Sequence, residues 1–151
     1  MKSEVTIGDN RLTVTRVFDA PRHLVFDAWK QAYKVQQWWG CKETTKVECE
    51  IDFRPGGAFT HKMHIETPEG PCDMTYNGVY DEIVEPERIS YHAAFGPVTT
   101  RVTVEFIEES GQTRMVLTQE GFPEPSLCKI VSQGTMESFD KLDLLLLRQA
   151  A

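Results

Sequence analysis

Residues 125–148 read PSLCKIVSQGTMESFDKLDLLLLR, a stretch with helical periodicity that follows a long run of alternating strands. At 1.5 Å per residue, a helix of roughly 25 residues reaches close to 40 Å. With successive residues 100° apart, Leu127, Val131, Ser138, Leu142 and Leu145 fall on one side, flanked by Gly134, Thr135, Phe139 and Leu146. The spacing therefore predicts one helix from about Pro125 to Arg148, with Val131, Ser138 and Leu142 inward and Glu137 and Lys141 outward. The middle of its inward face is small: Gly134, Thr135, Ser138. Either the helix closes tightly on its neighbour there, or a void remains. A lined void costs stability, so a retained one implies a use. Leu144 and Leu147 fall off this face, as plain surface or as a contact in a homodimer.

Upstream of this helix the period is two. Val47, Cys49, Ile51 and Phe53 alternate with Glu48, Glu50 and Asp52, the pattern of a half-buried strand. Phe59, His61, Met63 and Ile65 share one face of the next strand. RPGG, TPEGP, EPER, GP and SGQT mark turns, so residues from Thr44 to Phe122 read as a meander of antiparallel strands. Gly78 sits within one strand as a candidate bulge. A long helix after such a sheet has one natural place to go, across its concave face.

At the other end, two alternating segments flank the turn signal Gly8-Asp9-Asn10. Leu12 and Val14 predict a strand that slips register before Val17 and Phe18. Asp19 is a candidate helix cap before Pro21, and Val25, Phe26 and Trp29 form one helical face. A second short helix carries Tyr33 to Trp38 and stops at Gly40. Trp38 and Trp39 are adjacent, and two neighbouring indoles diverge by about 100° on a helix. One is expected to pack under the helix pair and the other to wall a cavity.

The 151 residues predict one domain spanning residues 1–151. A net charge of −7 repels phosphate backbones and anionic lipid heads, which argues against nucleic acid as a partner. The N-terminal MKSEVTIGDN lacks a signal peptide's apolar run, and no stretch nears the ~18 apolar residues of a membrane span. Cys41, Cys49, Cys72 and Cys128 are widely spaced with no CxxC, so reduced thiols and a cytoplasmic location are expected.

The segments RVFDAPRHLVFDAW, QQWWG, DFRPGG, YNGVYDEIVEPERI and GTMESFDKL, in this order, resemble the START-like superfamily, also called SRPBCC or polyketide-cyclase-like. The branch resembled is that of the activator of the heat-shock protein 90 ATPase. The resemblance spans Thr13 to Leu147 and implies an α+β helix-grip fold. In that fold a curved antiparallel sheet wraps a long C-terminal helix, two short helices follow the first strand, and an elongated cavity lies between helix and sheet. Members commonly carry a tryptophan after the glycine of the last helix. Here Thr135 follows Gly134, which enlarges or polarises the expected cavity.

Little catalytic chemistry is legible. His61 and His64 point to opposite faces of a strand and cannot share a metal ion without a bulge. His61 lies in the row of Phe59 and Met63, where it could donate to a ligand, serve as acid or base, or be satisfied by a neighbour. Tyr76 and Tyr80 can place hydroxyls in a cavity or be ordinary sheet residues. No GxSxG, P-loop or dinucleotide fingerprint is present. No metal site and no cofactor are predicted.

The expected cavity lining is Trp29, Trp38, Trp39, Phe59, His61, Met63, Met74 and Tyr76, with Val131, Gly134, Thr135, Ser138 and Leu142 from the helix. The leading reading is a carrier or sensor of a small hydrophobic ligand, aromatic or lipid-like. The second is a cavity enzyme of cyclase, dehydratase or hydrolase type acting on such a ligand. The third, ranked lower, is a chaperone partnership of the kind the branch name implies.

Overall fold

Alternation of apolar and polar residues sets the strands, and the computed structural model describes residues 3–150. β1 (Glu4–Ile7) and β2 (Arg11–Phe18) form a hairpin closed by the Gly8 N–H donating to the Arg11 carbonyl. α1 (Arg22–Lys30) and α2 (Ala32–Trp38) follow, then six strands: β3 (Thr44–Ile51), β4 (Ala58–Thr67), β5 (Gly70–Val84), β6 (Arg88–Phe95), β7 (Val98–Glu109) and β8 (Gln112–Glu120). α3 (Pro125–Ala150) ends the described chain as one unbroken helix. Every ladder is antiparallel, and the spatial order is β1-β2-β8-β7-β6-β5-β4-β3. This is the α+β helix-grip architecture, an eight-stranded open sheet gripping a long C-terminal helix. Among the described residues no helix is long and apolar enough to cross a membrane.

The expected register slip in β2 does not occur. Leu12, Val14, Arg16 and Phe18 all point inward in strict alternation, so a buried arginine takes a core position. Arg16 is tolerated there because α3 brings two carboxylates to its guanidinium. Nη1 donates to Asp140, and Nη2 donates to Asp143 Oδ2 at 3.1 Å. Nor does Asp19 cap α1. The helix begins after Pro21, with no side-chain cap, and Pro21 supplies a backbone carbonyl to the first turn.

Gly78 is not a bulge. It pairs in register with Phe59 on β4 and Ala93 on β6, and the irregularity falls later, between Tyr80 and Glu82. Glycine is needed for close approach: a Cβ there would lie 2.3 Å from the Phe59 ring. The Phe59 ring instead packs edge-on against Tyr91.

Close backbone neighbours of α3 are β1, β2, α1 and α2. Its buried stripe holds Phe139, Leu142, Leu145 and Leu146, as the spacing predicts, together with Cys128 and Ser132 near its start. Ser138 is inward and Val131 half-buried. Glu137 and Lys141, expected outward, are half-buried against the α2–β3 connection. That connection runs along the helix flank and offers backbone groups that no strand satisfies. Lys141 Nζ donates to the carbonyls of Trp39 at 3.2 Å and Cys41 at 3.4 Å, while Glu137 Oε1 accepts the Lys42 N–H at 3.2 Å. Leu144 and Leu147 are exposed. All four cysteines are free thiols.

Candidate functional site: a cavity between helix and sheet

The helix end of the paired tryptophans is built by a backbone reversal. Trp39 caps α2, and Gly40 follows at φ +98°, a conformation costly for residues with a Cβ. The space is short too, since a Cβ on Gly40 would meet Thr44 Oγ1 at 2.6 Å. The two indoles stay in contact, with ring centroids 5.5 Å apart, but meet different neighbours. Trp38 is fully buried under the helix pair, with Nε1 donating to the Ala28 carbonyl at 3.0 Å and its ring 4.8 Å from that of Trp29. Trp39 leans onto the sheet, 4.5 Å from the His61 ring and 5.5 Å from Tyr76. Both indoles border the cavity described next.

Between α3 and the sheet lies a cavity of about 400 Å³. Trp29, Trp38, Trp39 and Cys41 wall one side; Met63, Met74 and Tyr76 come from β4 and β5; Val131, Gly134, Thr135 and Ser138 come from α3. The small-residue stretch of the helix therefore borders open space. A Cβ on Gly134 would meet only the Cys41 Cβ, at 3.9 Å, which is ordinary contact distance. Close packing of helix on sheet is not what this glycine serves.

The polar groups of the helical wall are spent locally. Thr135 Oγ1 donates to the Val131 carbonyl at 2.9 Å, and Ser138 Oγ donates to the Gly40 carbonyl at 2.9 Å. No Asp, Glu, Lys, Arg or His lines the cavity among the described residues. The space is apolar with a few neutral polar atoms. Its mouth lies between the first half of α3 and the β4–β5 end of the sheet, where Ile130 and Met74 reach solvent.

Three expected lining residues stand elsewhere. Leu142 is fully buried further along α3, because the helix closes on the sheet below the cavity. Phe59 and His61 sit behind Trp39, around a separate gap of about 10 Å³ that also touches Tyr80 and Tyr91. Trp39 intervenes because its indole covers the imidazole. His61 is buried, its Nδ1 has no hydrogen-bond partner, and burial lowers its pKa to about 4. It is a neutral member of an aromatic cluster. His64 faces away and meets Asp73 at 2.8 Å.

Several lining residues were not anticipated: Tyr91 and Phe95 of β6, Leu117 and Gln119 of β8, and Leu127 and Ile130 of α3. The period-two rows Ile89-Tyr91-Ala93-Phe95 and Met115-Leu117-Gln119 carry the signal, since each row shares one face of its strand. Burial pushes the phenols of Tyr76 and Tyr91 up, so both stay protonated at neutral pH. They serve as hydrogen-bonding groups, and neither is a base.

One metal-compatible cluster occurs among the described residues, Cys41, Glu43 and Glu137, with ligand atoms within 4.8 Å of one another. The carboxylate of Glu137 is already engaged by the Lys42 N–H and, at 3.0 Å, by Gln133 Nε2.

Comparison with known proteins agrees with this architecture. A protein of Chromobacterium violaceum is 24% identical with a TM-score of 0.79, over 91% of this chain and 97% of that one. A protein of Rhodobacter sphaeroides is 18% identical with a TM-score of 0.82, over 98% and 99%. A putative uncharacterized protein of Rhizobium leguminosarum is 29% identical with a TM-score of 0.73, over 96% and 99%. No curated protein matches the sequence. The family described as "Activator of Hsp90 ATPase homolog 1-like protein" matches residues 19–146, from the last residues before α1 to the C-terminal third of α3, and the chain belongs to that family.

Proposed function

We propose that this protein binds a small hydrophobic ligand, aromatic or lipid-like, in the cavity between α3 and the sheet, as a carrier or sensor. The observation that carries the reading is the 400 Å³ space at Gly134, walled by three tryptophans and two methionines and left open by the small residues of α3. Pockets of roughly 300–1,000 Å³ with apolar walls and few polar groups are the usual form of small-molecule sites. Apolar surface facing an unfilled space forfeits dispersion contacts that a ligand would restore. Met63 and Met74 add adaptable, polarisable contacts.

Acid–base catalysis is less well supported. His61, the one histidine on the inward row, lies behind Trp39 with its pKa lowered, and the lining tyrosines have theirs raised. None is a group poised near neutral pH.

The test is Thr135→Trp with a hydrophobic fluorescent probe. The parent protein should take up the probe and show quenching of its tryptophan fluorescence, because Trp29, Trp38 and Trp39 all border the space. The variant should fold with unchanged or raised stability and take up no probe. Overpacking a solid core would instead cost about 1–3 kcal/mol. A destabilised variant together with a parent that binds no probe would show the space to be closed core.

A further inference from the structure

The cavity has one deep polar feature, on β8 and β7. Gln119 is 4% exposed and borders the space, where its strand neighbour Leu117 contributes an apolar side chain. Its Nε2 donates to Thr100 Oγ1 at 2.9 Å. Thr100 is itself buried. The carboxamide is thus held at its nitrogen end by a buried hydroxyl on the neighbouring strand β7. Among the described residues Oε1, its other end, has no protein donor, and it is not one of the polar atoms sealed away from solvent, so it is accessible from the cavity.

A carbonyl oxygen reached only from an apolar cavity depends for its donor on what fills that cavity, and an occupant that offers none leaves it unpaired at a cost in free energy. The same walls hold no charged residue, so a charge carried deep into them would lose its hydration without a partner.

From these two facts we infer that Gln119 is the specificity-determining residue of the cavity, its Oε1 accepting a hydrogen bond from an uncharged hydroxyl or amide N–H at the buried end of the ligand. This rests on the ligand-binding reading above and narrows it. A ligand of pure hydrocarbon would leave Oε1 unpaired, and a carboxylate would bring a second acceptor against it. The recognised class is an apolar, preferably aromatic, body ending in a neutral donor.

Calorimetric titration with naphthol and with its methyl ether tests this, because the two probes share a ring system and only naphthol has a donor. The parent should bind naphthol about tenfold more tightly, the scale of one net hydrogen bond. Gln119→Leu should abolish the preference while still binding the ether. Thr100→Val, which frees the amide to rotate, should reduce the preference. If the parent binds both probes equally, or Gln119→Leu keeps the preference, the assignment of Gln119 is overturned while ligand binding stands. If the parent binds neither probe, the ligand-binding reading itself falls. Should Gln119→Leu not fold, the comparison of the two probes on the parent alone still decides.

Discussion

Gly134→Ala makes the geometry of the cavity measurable as stability. In a helix interior, alanine is favoured over glycine by about 0.8–1.0 kcal/mol, because glycine loses more backbone freedom on folding. That gain is realised only where the new methyl has room. At Gly134 it has room, with the Cys41 Cβ at 3.9 Å as the nearest atom met. The substitution should therefore raise the stability of the protein by about 1 kcal/mol, which for a chain of this size is roughly 2–4 °C in Tm. Gly78→Ala is the matched opposite. Its Cβ would stand 2.3 Å from the Phe59 ring and 2.7 Å from the His92 carbonyl, so the ring and the strand must shift and stability must fall. Urea unfolding followed by tryptophan fluorescence reads both. A loss of about 1 kcal/mol or more in Gly134→Ala would mean that the helix meets the sheet closely there. The cavity, and with it the ligand-binding proposal, would then be wrong.

His61 supplies a pH signature. Its folded pKa of about 4 lies below the ordinary 6.5 because the imidazole is buried. Between those values the unfolded chain binds a proton that the folded chain does not, so stability falls as the pH drops from about 6.5 to about 4. Across the window the loss is on the order of 3 kcal/mol. His61→Phe should flatten that slope in urea melts across the window, and an unchanged slope would assign the effect to other groups. Arg16→Ala should cost about 2–4 kcal/mol, since it empties a buried site and leaves Asp140 and Asp143 facing each other one turn apart. Arg16→Lys should recover little of this in thermal melts, because one ammonium cannot span both carboxylates as the guanidinium fork does.

What the sequence makes legible depends on how local the determining forces are. The strands of the meander and the unbroken α3 follow from periodicities of two and 3.6, which are fixed by backbone geometry. The Gly134–Thr135–Ser138 stretch is visible as a break in an apolar stripe. Whether it meant contact or space was open, because that depends on how far the helix stands from the sheet. The register slip expected before Val17 fails for a related reason. A charge in the inward row looks like a register slip until its partners, more than 120 positions away on α3, are known. His61 shares its face with Met63, yet only Met63 borders the cavity, because Trp39 folds over the imidazole. Alternation gives the face of a residue and says nothing about which neighbour covers it. Gln119 was overlooked although its period placed it inward, since a polar residue at a strand end looks like the start of a turn.

The contacts that tie the α2–β3 connection to α3 bear on how a guest could come and go. Ser138 holds the Gly40 carbonyl, Lys141 holds those of Trp39 and Cys41, and Glu137 holds the Lys42 amide, all from one face of two successive helical turns. The wall that carries Trp39 is thereby tied to the long helix. On the ligand-binding proposal, the expected route is the unlatched end, past the exposed Ile130 and Met74, where no comparable bonds join helix to sheet among the described residues. Amide hydrogen exchange would register the asymmetry. The Lys42 amide should exchange as slowly as the middle of α3, while the first turn of α3, near Leu127, should open more readily.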